Sequence, residues 1–327
     1  MLAGVQVVCF ASSYAVALAL EISRLFFRSG VRGAVMLVFG GAGLLAHTLY
    51  LANRTVIAVE SPLSSNQDWC LLAAWALAII YLYLTVYHPK TPFGLFILPS
   101  VLGLIGAAYF WADSRPFARE PASRIWALIH GMSILLATVA VLVGFAAGLM
   151  YLRQARRLKR KLPSSSRLRL PSLEWLRRAN SRALVVSLIM VGIGILSGVV
   201  LNLLDRGRPN DRLAWTDPVI LTTLLMFAWL LVSVVAGLFY RPAREGHKVV
   251  YVTLVSFVFL VLALSAFLSL GTGHGGNRRG EGSRFRVQGS GFGPSSSFIV
   301  HRSSFIPHPS PSAIRAAARS PAHGGLR

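Results

Sequence analysis

Eight long runs without any charged residue constrain this chain more than any other feature. Each run has at least 19 residues and lacks Asp, Glu, Lys and Arg; the runs are residues 2–20, 34–52, 69–87, 93–111, 125–152, 183–203, 219–240 and 249–270. As a helix, a run of this length crosses about 30 Å of hydrocarbon. Only 13% of the residues are charged, against about 25% in a soluble protein. The sequence therefore predicts an all-α polytopic membrane protein with eight transmembrane helices.

Basic residues are divided unevenly between the two sides that these spans define. The connections after spans 1, 3, 5 and 7 hold 18 Lys and Arg residues, whereas those after spans 2, 4 and 6 hold seven. The richer side is expected to face the cytoplasm, which places both termini outside. Residues 153–182 alone supply eleven of the 18. Control of topology beside anionic lipid explains this run better than nucleic-acid binding does, so we expect no nucleic-acid partner.

The composition changes sharply after the last span. Residues 1–272 are expected to form one membrane domain, whereas residues 273–327 are rich in Gly, Ser and Pro and contain eight Arg against one Glu. Such a tail cannot bury enough apolar surface to offset the entropy that ordering would cost. We therefore expect a disordered, basic C-terminal tail.

Three histidines fall near the outer membrane face in this topology. His47 and His130 lie roughly 8 to 9 Å below the outer surface at 1.5 Å per residue, and His274 follows the outer end of span 8. For each histidine alone, a hydrogen bond to a neighbouring helix is the simpler explanation. Three at one level favour a ligand site, because polar groups within spans are costly and usually face an interior cavity.

The outer loops favour haem over zinc as the ligand. They contain carboxylates, but none has the tight spacing of zinc ligands. They also carry Arg206, Arg208 and Arg212, with Trp215 close by. Haem requires one or two axial ligands, an apolar slot and cations for its propionates, and these residues supply them.

Several segments resemble one known family. The stretch at 192–198, with the outer loop that ends in Trp215-Thr216-Asp217-Pro218, resembles the region around the tryptophan-rich haem-handling loop of the cytochrome c assembly family, of CcsA and HemX type. Segments 60–66, 94–99, 126–130 and 270–274 resemble other parts of that family. The resemblance covers about residues 34 to 275.

The resemblance implies a protein that binds haem b transiently at the extracytoplasmic face of the plasma membrane. It implies axial ligation by His130 and His274 and a platform formed by the loop before the seventh span. It also implies two partners, a membrane protein with a large external domain and apocytochrome c. With the residue inventory above, the candidate site comprises His130, His274, His47, Trp215, Asp217, Arg206, Arg208 and Arg212, with His47 as a third ligand or a hydrogen-bonding wall.

The loop before the seventh span favours an alternative function. It keeps a single tryptophan, Trp215, where the family typically has several, which favours the HemX-type branch. Such a protein would regulate or scaffold haem synthesis, and residues 153–182 would contact a soluble biosynthetic enzyme. The chain lacks a Cys-x-x-Cys-His motif and so is not itself a c-type cytochrome. We do not expect it to act as an enzyme on its own.

Overall fold

The computed structural model describes residues 6–24, 26, 31–57, 65–89, 91–112, 121–161, 170–204, 216–239 and 247–269. These residues form eight α-helices and no strand. The helices are α1 (Val7–Ser23), α2 (Arg32–Ile57), α3 (Asn66–Tyr87), α4 (Gly94–Phe110), α5 (Pro121–Lys159), α6 (Leu173–Leu204), α7 (Pro218–Phe239) and α8 (His247–Ser269). The prediction that each apolar run forms a helix is confirmed. The tail at 273–327 lies outside the described residues, so its predicted disorder stays a prediction.

Five of the described helices, α2, α3, α5, α6 and α7, are long and apolar enough to cross a membrane. Helices α1 and α4 are also apolar but have 17 residues each, or about 25 Å. Within α8, the stretch Leu254–Leu268 is apolar but likewise shorter than the five long helices. The architecture is that of a polytopic membrane protein, while the number of eight spans and the orientation stay predictions.

Two helices extend well beyond the apolar runs that predicted them. Helix α5 continues from residue 152 to Lys159, and α6 begins at Leu173, ten residues before its apolar run. The added turns are rich in Arg, Leu and Ala, which favour helix, and their charges can be solvated outside the hydrocarbon. Apolar runs mark the membrane crossing, whereas helix propensity and solvation determine where each helix ends.

The helices pack as two groups of four in chain order. In the first group, α1 packs against α2 and α4, and α3 packs against α2 and α4. In the second group, α5 packs against α6 and α8, and α7 packs against α6 and α8. Each group is therefore a closed four-helix bundle in which the last helix returns to the first. We call them the first bundle (α1–α4) and the second bundle (α5–α8).

Helix α5 joins the two bundles, because it also contacts α3 and α4. At this seam the indole ring of Trp69 on α3 lies directly against Gly131 on α5, and a Cβ atom at residue 131 would overlap the ring. Glycine thus allows a large aromatic side chain of the first bundle to reach the backbone of the second. The contact lies one residue from His130.

Candidate functional site

His130 is located on α5 and faces α6. Its Nδ1 atom lies 2.8 Å from the carbonyl oxygen of Gly194, and the imidazole is partly buried. His130 is nine residues from the start of α5 at Pro121, or about 13 Å along the helix axis. The ring is therefore held between two helices, within the predicted outer half of the second bundle.

Two glycines on α6 allow α5 to approach, and one of them makes room for the His130 ring. A Cβ atom at Gly198 would lie 3.1 Å from both Cε1 and Nδ1 of His130. A Cβ atom at Gly194 would lie 2.6 Å from Cδ1 of Ile134. The Gly-x-x-x-Gly spacing puts both residues on one face of α6 and lets α5 approach closely, as small residues do between membrane helices. The imidazole is consequently positioned by backbone as well as by side chains.

The hydrogen bond to Gly194 determines which ring nitrogen of His130 carries the proton. A carbonyl oxygen only accepts hydrogen bonds, so Nδ1 carries the proton and donates it. In the neutral imidazole the lone pair then resides on Nε2, the arrangement that metal-ligating histidines use when a backbone carbonyl orients them. This bond is the hydrogen bond to a neighbouring helix that the sequence favours as the simpler role of each histidine, and axial haem ligation through Nε2 stays a prediction.

His47 lies in the first bundle, in the interface between α1 and α2. It is fully buried, and its ring stacks on Phe10 with centroids 4.1 Å apart and planes 2° from parallel. The ring of Tyr14 approaches it edge-on at 6.2 Å. Among the described residues, neither ring nitrogen of His47 nor the Tyr14 hydroxyl has a hydrogen-bond partner. Buried polar groups of this kind usually contact water or a ligand.

The structure places His47 and His130 in different bundles. His47 is ten residues before the end of α2 at Ile57, so its distance from that helix end is close to that of His130 from the start of α5. Their ring contacts, however, belong to separate interfaces, α1–α2 for His47 and α5–α6 for His130. That the two histidines share one cavity, with His47 as a third ligand or as a hydrogen-bonding wall, stays a prediction.

A charged network connects the end of α2 to the start of α3, near Trp69. Nε of Arg54 lies 2.7 Å from Oδ1 of Asp68. Arg54 also donates hydrogen bonds to Oε1 of Gln67 at 2.6 Å and to the Tyr50 hydroxyl at 3.1 Å. Asp68 and Ser65 form a capping box at the start of α3. This network fixes the helix end from which Trp69 reaches Gly131.

Asp217 caps the N-terminus of α7. Its Oδ1 accepts a hydrogen bond from the backbone N–H of Val219 at 2.8 Å. Pro218 occupies the first helical position, which suits proline because its missing N–H would have no helical partner. The structure therefore gives Asp217 a local structural role, and its predicted part in a haem platform stays a prediction.

The other predicted site residues are outside the described part of the chain. These are His274, Trp215, Arg206, Arg208 and Arg212. Among the residues that the structure does describe, no group of three or more His, Cys, Asp or Glu side chains could hold a metal ion.

Sequence reasoning did not identify Trp69 or the role of the two α6 glycines. The Gly-x-x-x-Gly spacing of Gly194 and Gly198 is a readable signal for close helix packing. It does not say which helix packs there, so it could not show that His130 fills the space. For Trp69, the sequence shows only that it begins an apolar run, which does not predict a contact with α5.

A known protein family matches the part of the chain that contains His130. The family model described as cytochrome C assembly protein matches residues 63–274, which is more than half of the chain and includes α3 to α8. The matched range contains His130 and His274, whereas His47 precedes it. No curated protein and no solved structure matches the chain.

Proposed function

We propose that this chain, which belongs to the cytochrome c assembly protein family and acts in cytochrome c biogenesis, binds haem between its helices at the extracytoplasmic face and presents it to apocytochrome c. The axial ligands in this proposal are His130 and His274. The hydrogen bond from His130 Nδ1 to the Gly194 carbonyl oxygen carries the proposal, because it orients the ring and puts the lone pair of the neutral imidazole on Nε2, the atom that would ligate the iron. Haem is the cargo, and its vinyl groups are the sites to which apocytochrome thiols become attached.

The remaining candidate residues have distinct tasks in this proposal. Arg206, Arg208 and Arg212 pair with the haem propionates, and each charge-assisted contact contributes about 1.5 to 3 kcal/mol where water is excluded. Trp215 and Asp217 form the platform before α7. His47 supports the site from the first bundle, and Trp69 closes the seam beside His130. A membrane partner with a large external domain would hold the apocytochrome near this face.

An absorption spectrum of the detergent-purified protein, oxidised and reduced, tests this proposal. We expect a Soret band with low-spin features that weakens in His130→Ala and in His274→Ala and recovers with added imidazole. His88→Ala is the matched control, because His88 follows α3 at its predicted cytoplasmic end and the substitution should leave the spectrum unchanged. Equal spectra in all variants would contradict axial ligation by these histidines.

The arginines are tested separately. Arg208→Ala combined with Arg212→Ala should lower haem affinity without changing the ligand field, because propionate contacts hold the porphyrin edge and not the iron. Unchanged haem occupancy would contradict the propionate assignment. If well-folded protein takes up no haem even after reconstitution, the alternative function as a membrane regulator of haem synthesis becomes the better account.

A further inference from the structure

The helix ends on the predicted cytoplasmic side display exposed arginines on two neighbouring helices. Arg153 and Arg156 on α5 are exposed, as are Arg178 and Arg182 on α6. We call these four residues the arginine collar. Trp175, which is 38% exposed, lies on α6 within the same region.

The packing of α5 against α6 places the collar residues at related depths. The two helices run antiparallel, and His130 lies opposite the segment between Gly194 and Gly198. Trp175 lies about 21 residues from this point along α6, and residue 151 lies about 21 residues from it along α5. The two residues are therefore at about the same level. Arg153 and Arg156 then lie about 3 and 8 Å beyond the level of Trp175, and Arg178 and Arg182 about 5 and 10 Å inside it.

Trp175 is held at this level by packing within the protein. Its ring lies 6.0 Å from that of Phe93 and 6.4 Å from that of His88. Tryptophan with one packed face and one exposed face is typical of the boundary between hydrocarbon and headgroups. Arginines just inside such a boundary extend their guanidinium groups outward to it. The collar therefore lies on both sides of the headgroup level that Trp175 predicts.

We propose that the arginine collar binds the phosphate-bearing headgroups of anionic phospholipids, with Trp175 marking the headgroup level. Charge complementarity supports this occupant. Glu174, the only described carboxylate close to these residues in sequence, pairs with Arg177 and with one collar residue, Arg178, so the charges of Arg153, Arg156 and Arg182 have no described carboxylate near them in sequence. Arginine also suits phosphate through its planar, two-pronged donor geometry. The proposal is independent of haem binding, which belongs to the opposite end of these helices.

Fluorescence quenching by brominated lipids in reconstituted bilayers tests the proposal. The protein is placed in two reciprocal mixtures, brominated phosphatidylglycerol with plain phosphatidylcholine and the reverse, at equal lipid ratios. The difference between the natural protein and Trp175→Phe isolates the quenching of Trp175. We expect stronger quenching when the anionic lipid carries the bromine, and a smaller difference at high salt.

Arg156→Gln should reduce this preference by up to about fivefold. Arg124→Gln is the matched control, because it removes one exposed charge from the other end of the same helix and should leave the preference unchanged. Mass spectrometry of co-purified lipids provides a second readout that does not require Trp175→Phe to fold: enrichment in phosphatidylglycerol should fall in Arg156→Gln alone.

Equal quenching in the two mixtures, or a preference that Arg156→Gln leaves intact, would overturn the proposal. The proposal is also overturned if quenching is equal in the two mixtures and Arg156→Gln weakens the binding of polyglutamate or RNA. The collar would then bind an acidic soluble partner and not lipid.

Discussion

The contact between Gly198 and His130 yields the sharpest prediction. A methyl group added at residue 198 would lie 3.1 Å from two atoms of the His130 ring, closer than ordinary van der Waals contact. The imidazole must then move by a few tenths of an ångström, while its Nδ1 is held at 2.8 Å from the carbonyl oxygen of Gly194. Gly198→Ala should therefore disturb the orientation of His130 without changing any polar group.

The expected change in stability for Gly198→Ala depends on two opposing effects. Replacing Gly by Ala within a helix contributes up to about 1 kcal/mol of stability, whereas overpacking in a core costs about 1 to 3 kcal/mol. Gly192→Ala is the matched control on the same helix, because its Cβ would lie 3.4 Å from Phe227, an ordinary contact. We expect Gly198→Ala to be less stable than Gly192→Ala by about 1 to 3 kcal/mol. If the Gly194 bond is weakened, haem affinity should fall about two- to tenfold.

Thermal unfolding in detergent and haem titration by absorbance measure the two effects. The decisive experiment is a double-mutant cycle with His130→Ala, which removes the ring that the new methyl group would contact. In that background Gly198→Ala should no longer destabilise the protein relative to Gly192→Ala. If the cost of Gly198→Ala persists there, the methyl group contacts something other than His130 and the reasoning is refuted.

Two further predictions concern the seam and the network beside it. Arg54→Gln should lower the unfolding free energy by about 3 kcal/mol, the lower end for a broken buried ion pair because the Arg54 side chain is 27% exposed. Adding Asp68→Asn should restore part of that loss, and thermal unfolding that shows no recovery would contradict the pairing. Gly131→Ala should lower the melting temperature because its Cβ would overlap Trp69, whereas Gly41→Ala should not, because no atom lies within 4 Å of its Cβ. Replacing Trp69 by Ala should remove this difference in melting temperature between the two variants. A difference that persists would count against the contact between Trp69 and Gly131.

Local sequence patterns account for two helix starts near the candidate site. The capping box of Ser65 and Asp68 follows from Ser-x-x-Asp ahead of an apolar run. The Asp217-Pro218 step likewise indicates a helix start. The similar distances of His47 and His130 from their helix ends came from counting residues along apolar runs, because the helix rise is constant.

The rest depended on which helices are neighbours. Counting residues gives a side chain's depth but not its direction around the helix or the partner it meets. His47 and His130 could therefore be expected at one level, yet the structure puts the first between α1 and α2 and the second between α5 and α6. The reach of Trp69 from one bundle to Gly131 of the other had no signal in the sequence for the same reason.

The sequence by itself determined the eight helices and the membrane character, because both depend on the hydrophobicity and length of continuous segments. Tertiary structure alone decided the division into two four-helix bundles and the carbonyl that orients His130, which comes from a residue 64 positions away. Within a membrane, lipid solvates any apolar helix face equally well, so hydrophobicity does not select helix neighbours. Close packing at small residues such as Gly194 and Gly198 does.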